Sequence, residues 1–383
     1  MAAAFAAPAC SSSSGKDGTN TGSGSDMTGS GSDDQWAQQL GDRVVDYNAA
    51  LRIAALRLTG DLPTMAEINQ VANAPDDPSK KTAYEALIDN YMARPSFARQ
   101  MFYFWRDTFK QGETATLDTA PALAARLSFE NGAYTDLFTK ASANCPTFNE
   151  STGAFADGEC NNGGPQAGVL ANPGVMAQFF SNFAFRRVRW VQEVFVCTKF
   201  PAEVSANPTN VGGSLPYTGV WPFQSIATIA SKGGTGRIDF QDTSAVICAD
   251  CHSTINHVAP LFAYYDMNGA HQGTISVPTP LDGAPLAQMT DYLPSTETTA
   301  WRMGVPVADM TALGAAMAAD PDVAECGVAR IWNWALGKQD IVDALEIVPP
   351  DVIASQVMTF QSGGFKLRDL IRTVYTSDDF VKF

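Results

Sequence analysis

The chain has 383 residues, 45% of them hydrophobic, with 40 acidic against 25 basic side chains and a formal net charge of −15. That length and apolar content predict two or three compact units with real cores. No basic excess exists to neutralise phosphates, which excludes nucleic acid as a partner, and an acidic field suits a basic redox partner or none.

The opening MAAAFAAPAC looks like the tail of a signal peptide without its positive n-region, so the true start is expected upstream or the chain is trimmed. Cys10 follows Ala7, Pro8 and Ala9 and precedes SSSSGKDGTNTGSGSD. Two readings stand side by side: a lipidated cysteine holding the chain on a membrane, or a lone cysteine in a disordered tail. Residues 11–34 bury too little apolar surface to offset ordering entropy, so residues 1–34 are expected to be a signal remnant or lipoprotein-like tether. No run of about 18 apolar residues predicts a transmembrane helix.

Residues 35–115 read as an N-terminal helical module. Tyr47, Leu51, Ala54 and Leu58 recur at helical spacing, and Gly60 stops that helix. Thr64 and Glu67 make a capping box for the next one. Tyr84, Leu87, Ile88 and Tyr91 form another stripe, and Pro95 suits a first helical turn. Phe97, Met101, Phe104 and Trp105 then line one face, read as core rather than as a cofactor box.

Residues 116–205 form a middle region. A short helix is expected near 119–129 and a loop between Cys145 and Cys160, stapled by a disulfide. A redox-active role for that pair is the weaker reading, because the spacing is far from Cys-x-x-Cys. A long helix is expected over 173–198, ended by Pro201. Cys197 and Cys326 sit in helix-like segments, and a disulfide between them would clip the middle region to the C-terminal one. Seven cysteines distributed in this way fit an oxidising, extracytoplasmic compartment, periplasm or cell surface.

Residues 206–383 carry the chemistry. A Gly- and Pro-rich stretch, 206–239, leads into Cys248-Ala249-Asp250-Cys251-His252. This Cys-x-x-Cys-His spacing is that of c-type haem attachment. Two thiols three positions apart, in a tight turn leading into a helix, each add across one haem vinyl group, and His252 becomes the proximal iron ligand. Two rivals stand. A zinc site would use Cys248, Cys251 and one or both of His252 and His257, with further ligands from elsewhere. A thioredoxin-like dithiol would need a strand–helix context that is absent.

The sixth iron ligand is open between three readings. Met sulfur is common opposite His in electron carriers, and the downstream candidates are Met267, Met289, Met303, Met310 and Met317. Met303, before Gly304 and Pro306 in a loop, is favoured; His271, in the turn-like segment Asn268 to Gly273, is second; an open position is third. Met310 and Met317, at helical spacing, read as core. His257, five residues after His252, is expected at the surface or as a supporting residue. Trp332, Trp334 and Leu336 pack either on the haem or on the preceding helix. Further helices are expected over 309–337, ending at Gly337, and over Leu367, Leu370, Ile371 and Val374. Strands are few, and the predicted class is mainly α, with a cytochrome-c-like haem domain and long loops.

Several stretches carry a likeness in order as well as in identity: LRLTGDLPTMAEIN, YEALIDNYMARPSFARQMFYFWRDTF, GVLANPGVMAQFF, RRVRWVQEVFVCTKFPAEV, CADCHSTINHVAPLFAYYDMNGAHQG, ECGVARIWNWALGK and FKLRDLIRTVYTSDDF. Over most of residues 40–383 the chain resembles the cytochrome-c-domain proteins of the planctomycete and myxobacterial type, domains of unknown function with a CxxCH haem-binding segment. Asp266 and Gly269 match that family's Asp-x-x-Gly turn, while His257 stands where it usually has proline. The resemblance implies a secreted or lipid-anchored helical protein with one covalent haem c, and no particular reaction. The expected function is a monohaem electron carrier; a haem-dependent oxidoreductase or peroxidase subunit, or a binding module with haem or zinc at the same cysteines, are the alternatives.

Overall fold

The fold is read from a computed structural model that describes residues 38, 41–200, 246–280, 283–293, 295, 297–302, 304–338 and 348–383, without the side chains of 246–250 and 253. It is mainly α. The described residues from Val45 to Phe383 belong to one compact unit.

Local chemistry sets the first helices. Asp46 accepts hydrogen bonds from the Asn48 and Ala49 amides and starts α1 (Tyr47–Thr59). Ala50, Leu51, Ala54 and Leu58 are buried on one face, and Gly60, at φ 78°, ends the helix in the left-handed region. Thr64 and Glu67 close a reciprocal capping box on α2 (Met65–Ala72). Asp76 caps α3 (Asp77–Met92), and Pro95 occupies the first turn of α4 (Pro95–Phe109). The stripe Phe97, Met101, Phe104 and Trp105 is buried core, as expected. Trp105 Nε1 donates to Ser128 Oγ at 2.9 Å, joining α4 to α5 (Thr119–Phe129).

Glu67 also ties α2 to the base of α4. Arg94 Nη2 donates to its Oε1 at 2.5 Å. Burial pushes the Glu67 carboxyl up, but hydrogen bonds from Arg94 and Thr64 outweigh it and hold the pKa below the usual 4.5. A depressed carboxyl contributes stability above its unfolded value and loses it as pH falls through the folded value. Unfolding of Glu67→Gln should therefore show a smaller loss of stability between pH 5 and acid than wild type, on the order of 1 kcal/mol or less for so exposed a pair; equal acid slopes would refute this.

Beyond α5 come a short α6 (Asp136–Thr139) and a departure from expectation. The Cys145–Cys160 loop contains an antiparallel hairpin, β1 (Thr147–Asn149) with β2 (Ala154–Ala156). Phe148 and Phe155 pack across it with tilted rings 4.8 Å apart, which gives this loop the small apolar nucleus that composition did not suggest. Its ends are joined by the Cys145–Cys160 disulfide.

The long helix expected over 173–198 is broken in two. Asn172 caps α7 (Pro173–Gln178), a 3-10 turn covers Asn182–Ala184, and α8 spans Phe185–Phe195. Phe183 and Ala184 take left-handed φ of 56° and 58°. The reason is tertiary: the Phe183 amide donates to Pro278 O at 3.1 Å, and Ser181 Oγ accepts from the Arg186 amide, restarting the helix. α8 stops at Phe195, before Pro201, which lies outside the described residues.

After α9 (Val246–Phe262), a small hairpin pairs β3 (Ala300–Trp301) with β4 (Val305–Pro306). The predicted 309–337 segment divides at Pro321 into α10 (Met310–Ala318) and α11 (Pro321–Ala335). α12 (Pro350–Ser362), not among the expected helices, precedes α13 (Leu367–Tyr375) and α14 (Asp378–Val381). The C-terminal helices return to the N-terminal ones: Tyr84 Oη donates to Tyr375 O at 2.7 Å, and Arg372 pairs with Asp89 at 2.7 Å.

The second disulfide, Cys197–Cys326, joins the end of α8 to α11 across a separation of 129 residues. Arg330, buried on α11, donates beside it to Glu193 O and Val194 O, the carbonyls at the end of α8. Closing so long a loop limits the unfolded chain, so Cys197→Ala with Cys326→Ala should cost up to about 4–5 kcal/mol in the chain-entropy limit. Denaturant melts of the two proteins measure it; equal midpoints would contradict the role.

Candidate functional site

The Cys-x-x-Cys-His segment lies inside α9 rather than in a turn before it. A helix turns 100° per residue, so positions 248, 251 and 252 share one face at i, i+3 and i+4. The Cys248 side chain is outside the described residues. Cys251 and His252 are both half-buried, so both reach accessible space. Among the described residues the disulfides are Cys145–Cys160 and Cys197–Cys326.

α9 rests on α8, on the 3-10 turn before it, and on β3. The break in the predicted long helix therefore sits against the motif. It brings Phe185 to His252, with ring centroids 5.3 Å apart at 73°. Phe183 stacks on Phe185 at 5.3 Å, and Tyr292 closes edge-on against Phe183 at 5.5 Å. None of these aromatic neighbours was legible in the sequence.

On the same helix, Asn256 Oδ1 lies 3.0 Å from His252 Nδ1. With the amide oxygen facing the ring, this contact suits the tautomer with its proton on Nδ1 and its lone pair on Nε2. Burial lowers the His252 pKa, and the Asn256 hydrogen bond opposes that shift. A neutral ring with its second nitrogen anchored is the form that binds a metal. The donor set on this face thus fits the group expected from the sequence: two thiol positions and an oriented imidazole.

His257 is not at the surface: it is buried, with Nε2 3.1 Å from Glu297 Oε2. Five residues from His252, it lies about 140° around the helix. The zinc reading that uses both histidines fails on that angle. Among the described residues, no group of three or more His, Cys, Asp or Glu side chains is placed to hold a metal ion.

Met303 lies outside the described residues. Its neighbours Arg302 and Gly304 belong to the β3–β4 hairpin, and β3 packs on α9. Trp301 Nε1 and Arg302 Nη1 both donate to Asp320 Oδ2, at 2.8 and 2.9 Å, fixing this hairpin to the start of α11. His271, the second candidate, is not brought to the motif. Its ring packs on Tyr264 and Tyr265, beyond the far end of α9. The span from His252 to Phe262 is about 15 Å of helix axis, too far for two ligands of one iron. Met310 and Met317 are core, as expected, and Met267 and Met289 are exposed. Trp334 packs on Phe104 of α4 and Tyr375 of α13, neither of which belongs to the preceding helix.

Residues 38–130 match the family model PSCyt2, described as a protein of unknown function (DUF1549). No curated protein and no solved structure matches the chain. The matched segment ends with α5 and does not include the motif helix.

The far end of α9 is held by a buried cation. Arg187, fully buried on α8, donates through Nη1 to Phe262 O and Tyr265 O, both at 2.7 Å, and through Nη2 to Asp266 O at 2.9 Å. Its Nε donates to Met176 O at 2.9 Å. One guanidinium thus binds the last carbonyl of α9 and two carbonyls just beyond it, and joins them to α7. Burial pushes its pKa down to about 10, still well above neutral pH. Beyond it, Asp266 Oδ1 accepts from the Asn268 and Ala270 amides, so the Asp266–Gly269 stretch is a hydrogen-bonded turn. Among the described residues, no helix is long and apolar enough to cross a membrane.

Proposed function

We propose that the chain is an extracytoplasmic monohaem c-type cytochrome serving electron transfer. Cys248 and Cys251 would attach the haem through thioethers, and His252 would ligate its iron. The observation that carries this reading is the His252 ring, anchored at Nδ1 by Asn256 on the helix face that also bears both cysteine positions. When bound, the haem supplies a one-electron Fe(III)/Fe(II) couple. The protein's own part is to hold the imidazole oriented, with Asn256 at Nδ1 and Phe185 against one side of it. Met303 is the proposed sixth ligand.

The two disulfides support an oxidising compartment, the periplasm or cell surface. A lipidated Cys10 would hold the protein on a membrane without a spanning helix. Excess acidic charge suits a basic redox partner.

The test is an optical spectrum of the full chain made in a host that attaches haem. A reduced protein with the narrow bands of a low-spin, six-coordinate c-type haem supports the reading. A protein with no haem absorbance overturns it. A five-coordinate ferric spectrum with peroxide turnover would favour the haem-enzyme alternative instead.

A further inference from the structure

We propose that Asn256 is the positioning residue that sets the orientation and donor strength of the His252 imidazole, and through it the reduction potential of the site. The inference rests on the haem reading above and adds to it a residue that the motif does not contain.

Asn256 is fully buried one helical turn after His252, and its Oδ1 is 3.0 Å from Nδ1. An i, i+4 pair on a helix places the two side chains on one face, within reach of each other. Phe185 stands against the ring at 73° and limits rotation about the same axis. Two constraints therefore act on one imidazole: a ring in edge contact and an acceptor at Nδ1. A hydrogen bond from Nδ1–H raises the basicity of Nε2 and favours the more oxidised metal, which lowers the potential. Were the amide reversed, its NH2 group would face Nδ1, the proton would move to Nε2, and the ring could not ligate.

Asn256→Leu removes the acceptor at similar volume, and Asn256→Asp replaces it with a stronger, charged one. The experiment is redox titration of the haem-loaded full chain, wild type and both variants, followed by the optical bands. The expected result is a higher midpoint for Asn256→Leu and a lower one for Asn256→Asp. Three equal midpoints in proteins that all carry haem overturn the role of Asn256 and leave the haem reading standing; a wild type that takes up no haem overturns both. Should Asn256→Leu fail to mature, the Asn256→Asp shift alone decides, a fall supporting the proposal and no change refuting it. Nitrogen NMR of His252 in haem-free wild type gives a second readout: a proton on Nδ1 supports the assignment, and a proton on Nε2 overturns it.

Discussion

Replacing Cys248 and Cys251 together with alanine is expected to abolish covalent haem, so that acid and organic solvent extract whatever pigment the purified variant carries. The two positions lie three residues apart on α9, and His252 follows on the same face. With both sulfurs gone, only the proposed coordination bonds from His252 and Met303 to iron would remain, and acid breaks those. Either single variant should retain some haem through one thioether, with a displaced reduced band, because one vinyl group would remain unreacted. His252→Ala tests the other half of the site. It leaves both thiols but removes the anchored ligand, and the expected product is a poorly matured, high-spin species. Covalent pigment in the double variant at wild-type yield would remove Cys248 and Cys251 from the account.

Arg187→Met is the second large effect. The guanidinium is fully buried and donates to carbonyls of Met176, Phe262, Tyr265 and Asp266. Methionine fills a similar volume but removes all of these donors; Phe262 O and Asp266 O keep the backbone amides of Tyr265 and Gly269, while Met176 O and Tyr265 O lose the guanidinium in a place water reaches poorly. Each charge-assisted hydrogen bond contributes about 1.5–3 kcal/mol, and orphaned buried acceptors add a penalty. The losses overlap, because all four carbonyls answer to one side chain, so the expected destabilisation is about 3–5 kcal/mol. Arg187→Lys should recover only part of this, since one ammonium cannot reach three segments in the planar fork that arginine presents. Denaturant unfolding measures both variants. A change below about 1 kcal/mol for Arg187→Met would mean that water or repacking satisfies those carbonyls.

The readable parts of this fold are those whose causes are local. Gly60 stops α1 because its left-handed conformation needs no neighbour, and the Thr64–Glu67 box is complete within four residues. The helix predicted near 119–129 is α5, for the same reason. The break at Phe183 was not readable, because its cause is a carbonyl on Pro278, 95 residues further along. Helical periodicity runs through 173–198 without interruption, and a long-range hydrogen bond overrides it. Likewise nothing local in RRVRWV marks Arg187 as a core residue, yet it is buried because backbone carbonyls of α7 and α9 converge on it.

The site divides in the same way. The motif itself is plain, and the His252–Asn256 spacing is present in the sequence as an i, i+4 pair, though nothing local marks it as a contact. Phe185 and Tyr292 carry no local signal, since they reach the motif only through the turn at 182–184 and the segment after α9. His257 was expected at the surface or in support; its partner Glu297 is 40 residues away, and only the folded chain shows the pair.

The most direct test of the central claim is the intact mass of the denatured full chain, purified from a host that attaches haem and separated from any dissociable ligand. The account predicts a species heavier than the polypeptide by one haem, with tandem fragmentation placing the adduct on the peptide that contains Cys248, Cys251 and His252. A chain at the bare polypeptide mass, with zinc or nothing released on denaturation, would contradict it.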